Sequence, residues 1–213
     1  DDGGSRPRPE PVSVWHLIET LRPGGAEQLL LTTVKHLDPE RFRSSVVALF
    51  PPLDLQEQFE RLGVPVHCLG LRGPADWRRG FLELARWLKR DRPDILHTHL
   101  PCANFYGRLA GTLAGVPSMI TSLHSSEYTH WAGDGWRFKV RKFVERSAGR
   151  RLRTDFIAVS QSVCDDYVRH FGLKDIAVIY NYLDPAEFSL PTSDAGEAIR
   201  REFHWTAQEF VLL

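Results

Sequence analysis

Val12-Ser13-Val14-Trp15-His16-Leu17-Ile18, then Pro23-Gly24-Gly25-Ala26-Glu27, then Leu29, Leu30, Thr33, Val34 and Leu37: this stretch decides the fold. The first run is short and apolar, as a buried strand should be. The last positions, with Ala26, recur at the spacing of one helix face. A strand therefore feeds a glycine turn, and the turn opens a helix. That geometry aims unpaired backbone N–H groups over the strand end, where the helix dipole favours negative charge. Gly24 and Gly25 leave no side chain in the way. An anion cradle and a plain corner both fit this local pattern.

The same alternation continues along the chain. Strand-like runs are expected at 12–18, 44–50, 65–69, 94–98, 118–122, 155–159 and 176–180. Helical segments are expected at 26–37, 53–62, 77–90, 103–114, 135–151, 161–171 and 194–203. Breakers such as Gly63-Val64-Pro65, Arg92-Pro93-Asp94 and Gly115-Val116-Pro117 separate them. Strand then helix, repeated about seven times, predicts an α/β fold. It is a Rossmann-like, doubly wound parallel sheet of about seven strands with helices on both faces. Gly107, Gly111 and Gly115 recur every fourth residue and form a small-residue face on which a helix lies close to a sheet. Asn104 and Arg108 on the same helix exclude the membrane-dimer reading of that spacing.

Composition narrows the class. The 213 residues carry 27 Lys+Arg and 27 Asp+Glu, so charge exerts no general pull toward nucleic acid. No apolar run approaches the roughly 20 residues of a membrane span. Cys68, Cys102 and Cys164 are too few and too scattered for a disulfide framework and fit a reducing compartment. Cys68 is expected as a small core residue. Residues 1–11 are rich in Pro, Gly and charge and read as a disordered leader. Residues 12–190 form the main domain. Residues 191–213 read as a polar linker and the truncated start of a second domain, because Phe210-Val211-Leu212-Leu213 resembles the first half of a strand.

Ligands of such sheets sit outside the carboxyl ends of the strands. There the sequence places Gly24 and Gly25, then His97, His99 and Asn104, then His124, Ser125 and Glu127, then Ser160 and Gln161, and finally Asn181, Tyr182 and Asp184. One convergent site is the economical reading. His97 and His99 are two apart, so both point to one face of a strand. With His16 and His124 they are a conceivable metal set. These histidines are scattered and lack an acidic base motif, so no metal ligand is assigned. His99 is expected at the cleft with His97 packed beneath it.

Several ordered motifs carry a family resemblance. They are Pro23-Gly24-Gly25-Ala26-Glu27, Leu62-Gly63-Val64-Pro65-Val66, Arg92-Pro93-Asp94-Ile95-Leu96-His97-Thr98-His99-Leu100, Ala114-Gly115-Val116-Pro117, Thr121-Ser122-Leu123-His124, Ala158-Val159-Ser160, and Val178-Ile179-Tyr180-Asn181-Tyr182-Leu183-Asp184-Pro185-Ala186-Glu187-Phe188. In this order the chain resembles the N-terminal, acceptor-binding domain of a retaining GT-B glycosyltransferase of family 4 (group 1). The resemblance implies two Rossmann-like domains facing across a cleft. It implies sugar transfer from a nucleotide-sugar co-substrate to a hydroxyl acceptor, with retention and without an essential metal or cofactor. By matching positions, His124 is implied beside the transferred sugar as the catalytic residue, Gly24 and Gly25 along the cleft, and Asn181 near the hinge. One position departs from the family pattern Asn-Gly-x-Asp, since Tyr182 stands where the glycine is usual. The donor-binding half is implied to lie in the second domain, so this chain alone is expected to be inactive. A non-catalytic carbohydrate- or phosphate-binding module and a GT-B sugar-nucleotide epimerase remain as alternatives.

Trp136 to Arg153 holds eight basic residues, Arg137, Arg141 and Lys142 among them, against the single acid Glu145. A solvated helix face and a surface that docks on anionic membrane both suit this pattern. The second reading would bring a lipid-linked acceptor of cell-envelope polysaccharide within reach of a cytoplasmic protein held peripherally on the inner face of the membrane. On that reading the protein binds acidic liposomes in a flotation assay at low salt, and charge reversal at Arg141 and Lys142 abolishes binding. Absence of binding at low salt would refute it.

Overall fold

The computed structural model describes residues 10–73, 76–125, 135, 154–182 and 193–206. Contacts divide the chain into two compact units, Asp1–Asn181 and Tyr182–Leu213. The first unit is built on a parallel sheet of β1 (Val12–Ile18), β2 (Phe42–Ala48), β3 (Val66–Cys68), β4 (Ile95–His99), β5 (Ser118–Leu123), β6 (Thr154–Ala158) and β7 (Ile176–Val178). Its order is β3-β2-β1-β4-β5-β6-β7. The strands grow outward on one side of β1 and then on the other side from β4. Between β1 and β4 the winding reverses, which is where such sheets open a ligand crevice.

Helices α1 (Gly25–His36), α2 (Gln56–Arg61), α3 (Trp77–Asp91), α4 (Pro101–Ala114) and α5 (Gln161–Asp166) connect the strands. Alternation within β1 explains why both faces need cover. Trp15 and Leu17 join Val47, Leu96, Met119 and the α3 residues Leu84 and Leu88 in one core. Ile18 joins Val46, Ala48, the α1 residues Leu30 and Val34, and Phe59 of α2 in another. A third core gathers Leu123, Phe156 and Ala158 with Val163, Cys164, Tyr167 and Phe171. The expected helix over 161–171 changes winding at Tyr167, where a π-helical turn runs to Phe171 and stacks those two rings 4.9 Å apart. Gly172 then ends it in the left-handed region at φ 65°. Cys68 is half-buried, short of the core position expected. In the second unit α6 (Ser193–Glu202) is followed by stacked Phe203 and Trp205, with ring centroids 4.9 Å apart.

The close approach of α4 has a specific cause. A Cβ on Gly107 would collide with Cγ2 of Thr98 and lie 2.9 Å from Leu17 Cδ2. A Cβ on Gly111 would lie 2.8 Å from Met119 Sδ and 2.9 Å from Leu96 Cδ2. Gly115, grouped with them by spacing, has a different job: it terminates α4 at φ 76° with nothing within 4 Å of its Cβ position. Residues 1–9 of the leader expected over 1–11, residues 136–151 of the helix expected at 135–151, and the boundary at 190 fall outside the described residues.

Two alanine substitutions separate a stiff neighbour from a soft one. Thr98 is β-branched and its hydroxyl is tied to Thr121 Oγ1 at 2.9 Å, so it yields poorly. Met119 rotates easily. Gly107→Ala is expected to lose about 2 kcal/mol in urea unfolding, net of the helix propensity gained, and Gly111→Ala clearly less. Equal losses would show that the contact does not set the spacing of α4.

Candidate active site at the strand ends

Four histidines meet at the winding reversal. The register sets His16 of β1 directly opposite His97 of β4. His99 lies two residues further on, and its ring centroid is 4.1 Å from that of His97 and 5.9 Å from that of His16. His124, just past β5, completes the group, with its Nε2 3.1 Å from His99 Nδ1. The view of these residues as scattered is therefore corrected. Their spread along the sequence hides the pairing of two strands that are far apart in the chain. The expected order is corrected too: His99 is only 4% exposed and His97 is half-buried, so His99 is the more enclosed.

The rings are held in different ways. His97 Nε2 lies 2.8 Å from Ser122 Oγ on β5. His16 has no partner at either nitrogen among the described residues, and His99 has none at Nε2. Burial pushes the pKa of His16 and of His124 down to about 4. Burial, with mutual repulsion of neighbouring rings as the smaller cause, holds His97 and His99 well below the usual imidazole range. All four rings are neutral at pH 7, offering lone pairs and N–H groups but no charge. Ligand atoms of His16, His97 and His99 lie within 4.8 Å of one another, so these three could hold a metal ion.

The remaining candidates divide. Asn104 was expected at the cleft, but it is 3% exposed and ties α4 to β5 through Nδ2 and the Ser122 carbonyl at 3.4 Å. Ser160 caps α5, its Oγ accepting the Val163 N–H at 3.2 Å, which gives the hydroxyl a structural task. Asn181 and Tyr182 are exposed beyond β7. Glu127, Arg137, Arg141 and Lys142 lie outside the described residues.

The glycine turn also proves more specific than its sequence. Gly24 is extended, at φ −158° and ψ 170°, and precedes α1 without a side-chain cap. The carboxylate of Glu27 folds back over it, and a Cβ on Gly24 would lie 2.6 Å from Glu27 Oε2. Burial raises the Glu27 pKa and the Glu19 charge adds to this; its own backbone N–H and the Thr20 hydroxyl oppose the rise. Glu19 in turn accepts the Cys102 N–H of α4 at 2.7 Å. Two helix N-termini at this edge thus already face carboxylates. Gly25 is exposed, with no atom within 4 Å of its Cβ position. Sequence reasoning missed Leu100, which sits at φ 72° and ψ 156° between His99 and Pro101. That conformation is essentially reserved for glycine and costs about 1–3 kcal/mol, a strain concentrated at functional sites.

Neutral burial makes the fold acid-sensitive. Unfolded His16 titrates at 6.5 and the folded ring at about 4. The unfolded chain therefore binds the proton more tightly, and stability that is full above pH 6.5 falls as the pH drops toward 4. At pH 5 His16 alone contributes a loss of about 2 kcal/mol. Urea unfolding at pH 7 and pH 5, with chelator present, is expected to show this loss, and His16→Leu to reduce it. A pH response identical in the two proteins would contradict the neutral buried ring.

The chain is similar to several known proteins. Residues 23–187 match the family model described as Glycosyltransferase Family 4. The Escherichia coli UDP-Gal:alpha-D-GlcNAc-diphosphoundecaprenol alpha-1,3-galactosyltransferase is 25% identical over 136 residues, 64% of this chain and 32% of its own length. Anabaena HepE, solved with UDP and glucose, superposes with a TM-score of 0.72 at 18% identity, over 91% of this chain and 50% of its own. The Neisseria meningitidis UDP-GlcNAc 2-epimerase bound to UDP-GlcNAc gives 0.57 at 12% identity, over 92% of this chain and 55% of its own. The chain thus spans about a third of the curated relative and about half of each solved chain. At these identities the two structures speak for the fold. The family pattern covers most of the sheet and its strand-end residues, and the chain belongs to Glycosyltransferase Family 4, as an N-terminal domain of GT-B architecture.

Proposed function

We propose that this chain is the acceptor-binding half of a glycosyltransferase that moves a sugar from a nucleotide-sugar donor to a hydroxyl acceptor with retention. The observation that carries the reading is the His99–His124 pair, neutral and hydrogen-bonded at the winding reversal of a family 4 domain. The bond to His99 occupies Nε2 of His124 and leaves Nδ1 to meet a sugar hydroxyl. A ring with a pKa of about 4 is a poor base for a hydroxyl at pH 7. Its role is to orient a hydroxyl and to stabilise the polar transition state by hydrogen bonding. Glu27 beside Gly24 gives the α1 turn a preference for hydroxyl groups, which donate to carboxylates, over a diphosphate, which repels them. That preference suits an acceptor. The Escherichia coli relative is named for a lipid-linked sugar acceptor, and an acceptor of that kind, reached from the cytoplasmic face of the membrane, is our reading here.

Two measurements test this. The 213-residue chain, incubated with UDP-sugars and lipid-linked or free sugar acceptors, is expected to give no sustained turnover. Turnover by this chain alone would overturn the half-site reading. In a protein that also carries the donor-binding domain, His124→Ala is expected to lower kcat about 100-fold with KM for the donor little changed. Full activity of that variant would remove His124 from the mechanism.

A further inference from the structure

We infer that His16, His97 and His99 form a binding site for one divalent transition-metal ion of the zinc class. Their ligand atoms lie within 4.8 Å of one another. In a tetrahedral zinc site with bonds of about 2.05 Å the ligand nitrogens stand about 3.3 Å apart, so small ring rotations close the set. The unsatisfied atoms agree with this. His16 is 1% exposed and His99 4% exposed, yet both nitrogens of His16 and Nε2 of His99 have no partner among the described residues. A neutral ring buried in that state is costly unless something accepts its N–H or takes its lone pair, and an ion does the second.

The neighbours already act as a second coordination shell would. Ser122 Oγ engages His97 Nε2, and His124 engages His99 Nδ1. Each contact engages one ring nitrogen and leaves the other, Nδ1 of His97 and Nε2 of His99, for an ion. Three imidazoles without a carboxylate select zinc, cobalt, nickel or copper, and reject magnesium and calcium. The ion would keep its full positive charge and an open position for water or for one oxygen of an incoming anion.

The test uses tag-free protein, stripped with chelator and then offered zinc or cobalt. After gel filtration, one equivalent of zinc is expected to remain, and cobalt to develop the visible absorption of a tetrahedral nitrogen-rich site. A thousandfold excess of magnesium is expected to displace neither. His16→Ala and His97→Ala, checked for folding by circular dichroism, are expected to lose zinc affinity at least about tenfold. His36→Ala, which removes an exposed ring on α1, is expected to keep it. Should the variants fail to fold, zinc protection of the unaltered protein decides: a raised Tm with zinc but not with magnesium supports the site. No stoichiometric zinc and no cobalt spectrum in the unaltered protein would overturn it, as would undiminished binding in both folded variants.

Discussion

The pairing of β1 with β4 is the constraint on which the rest depends. It joins segments far apart in the chain, with the Ser13 N–H on Asp94 Oδ2 at 2.8 Å across 81 residues. Because the strands are parallel and side chains alternate, this register alone puts His16 beside His97 and turns His99 to the same face. A slip of one residue would send His16 to the opposite core, among Leu17, Leu96 and Met119. The same pairing brings Glu19, at the end of β1, within reach of the first turn of α4. Site geometry and sheet register are one specification.

Electrostatics at this edge runs against the simplest expectation for a helix N-terminus. The α1 and α4 termini both meet carboxylates, Glu27 and Glu19, which satisfy backbone N–H groups. The histidines nearby are stripped of charge by burial. Without a bound ion the crevice floor is thus rich in hydrogen-bonding capacity and poor in positive charge. Such a floor discriminates hydroxyl patterns better than it attracts phosphates.

Much of the architecture was legible in the sequence, for physical reasons. Strand runs such as Val12–Ile18 and Phe156–Ala158 are apolar because both faces are covered. The fourfold spacing of Gly107 and Gly111 announced a close helix, although α4 begins at Pro101, two residues before the expected start. What escaped depends on non-local geometry. No local rule reveals that His16 and His97 are neighbours, that Asn104 turns inward, or that Glu27 folds over Gly24. The roles of Gly115 and Ser160 are settled by backbone conformation and capping, which spacing does not encode. Leu100 escaped because nothing in its side chain marks a glycine-like backbone.

The long separation between β1 and β4 has a consequence for how the molecule forms. The chain from β1 to β3 and the chain from β4 to β7 each hold local strand–helix contacts that close short loops. The seam between them closes only when a segment of about eighty residues is brought round, the slow kind of contact in a folding reaction. His16 belongs to the first half, and His97, His99 and His124 to the second. The site of this molecule therefore exists only once its two halves have docked.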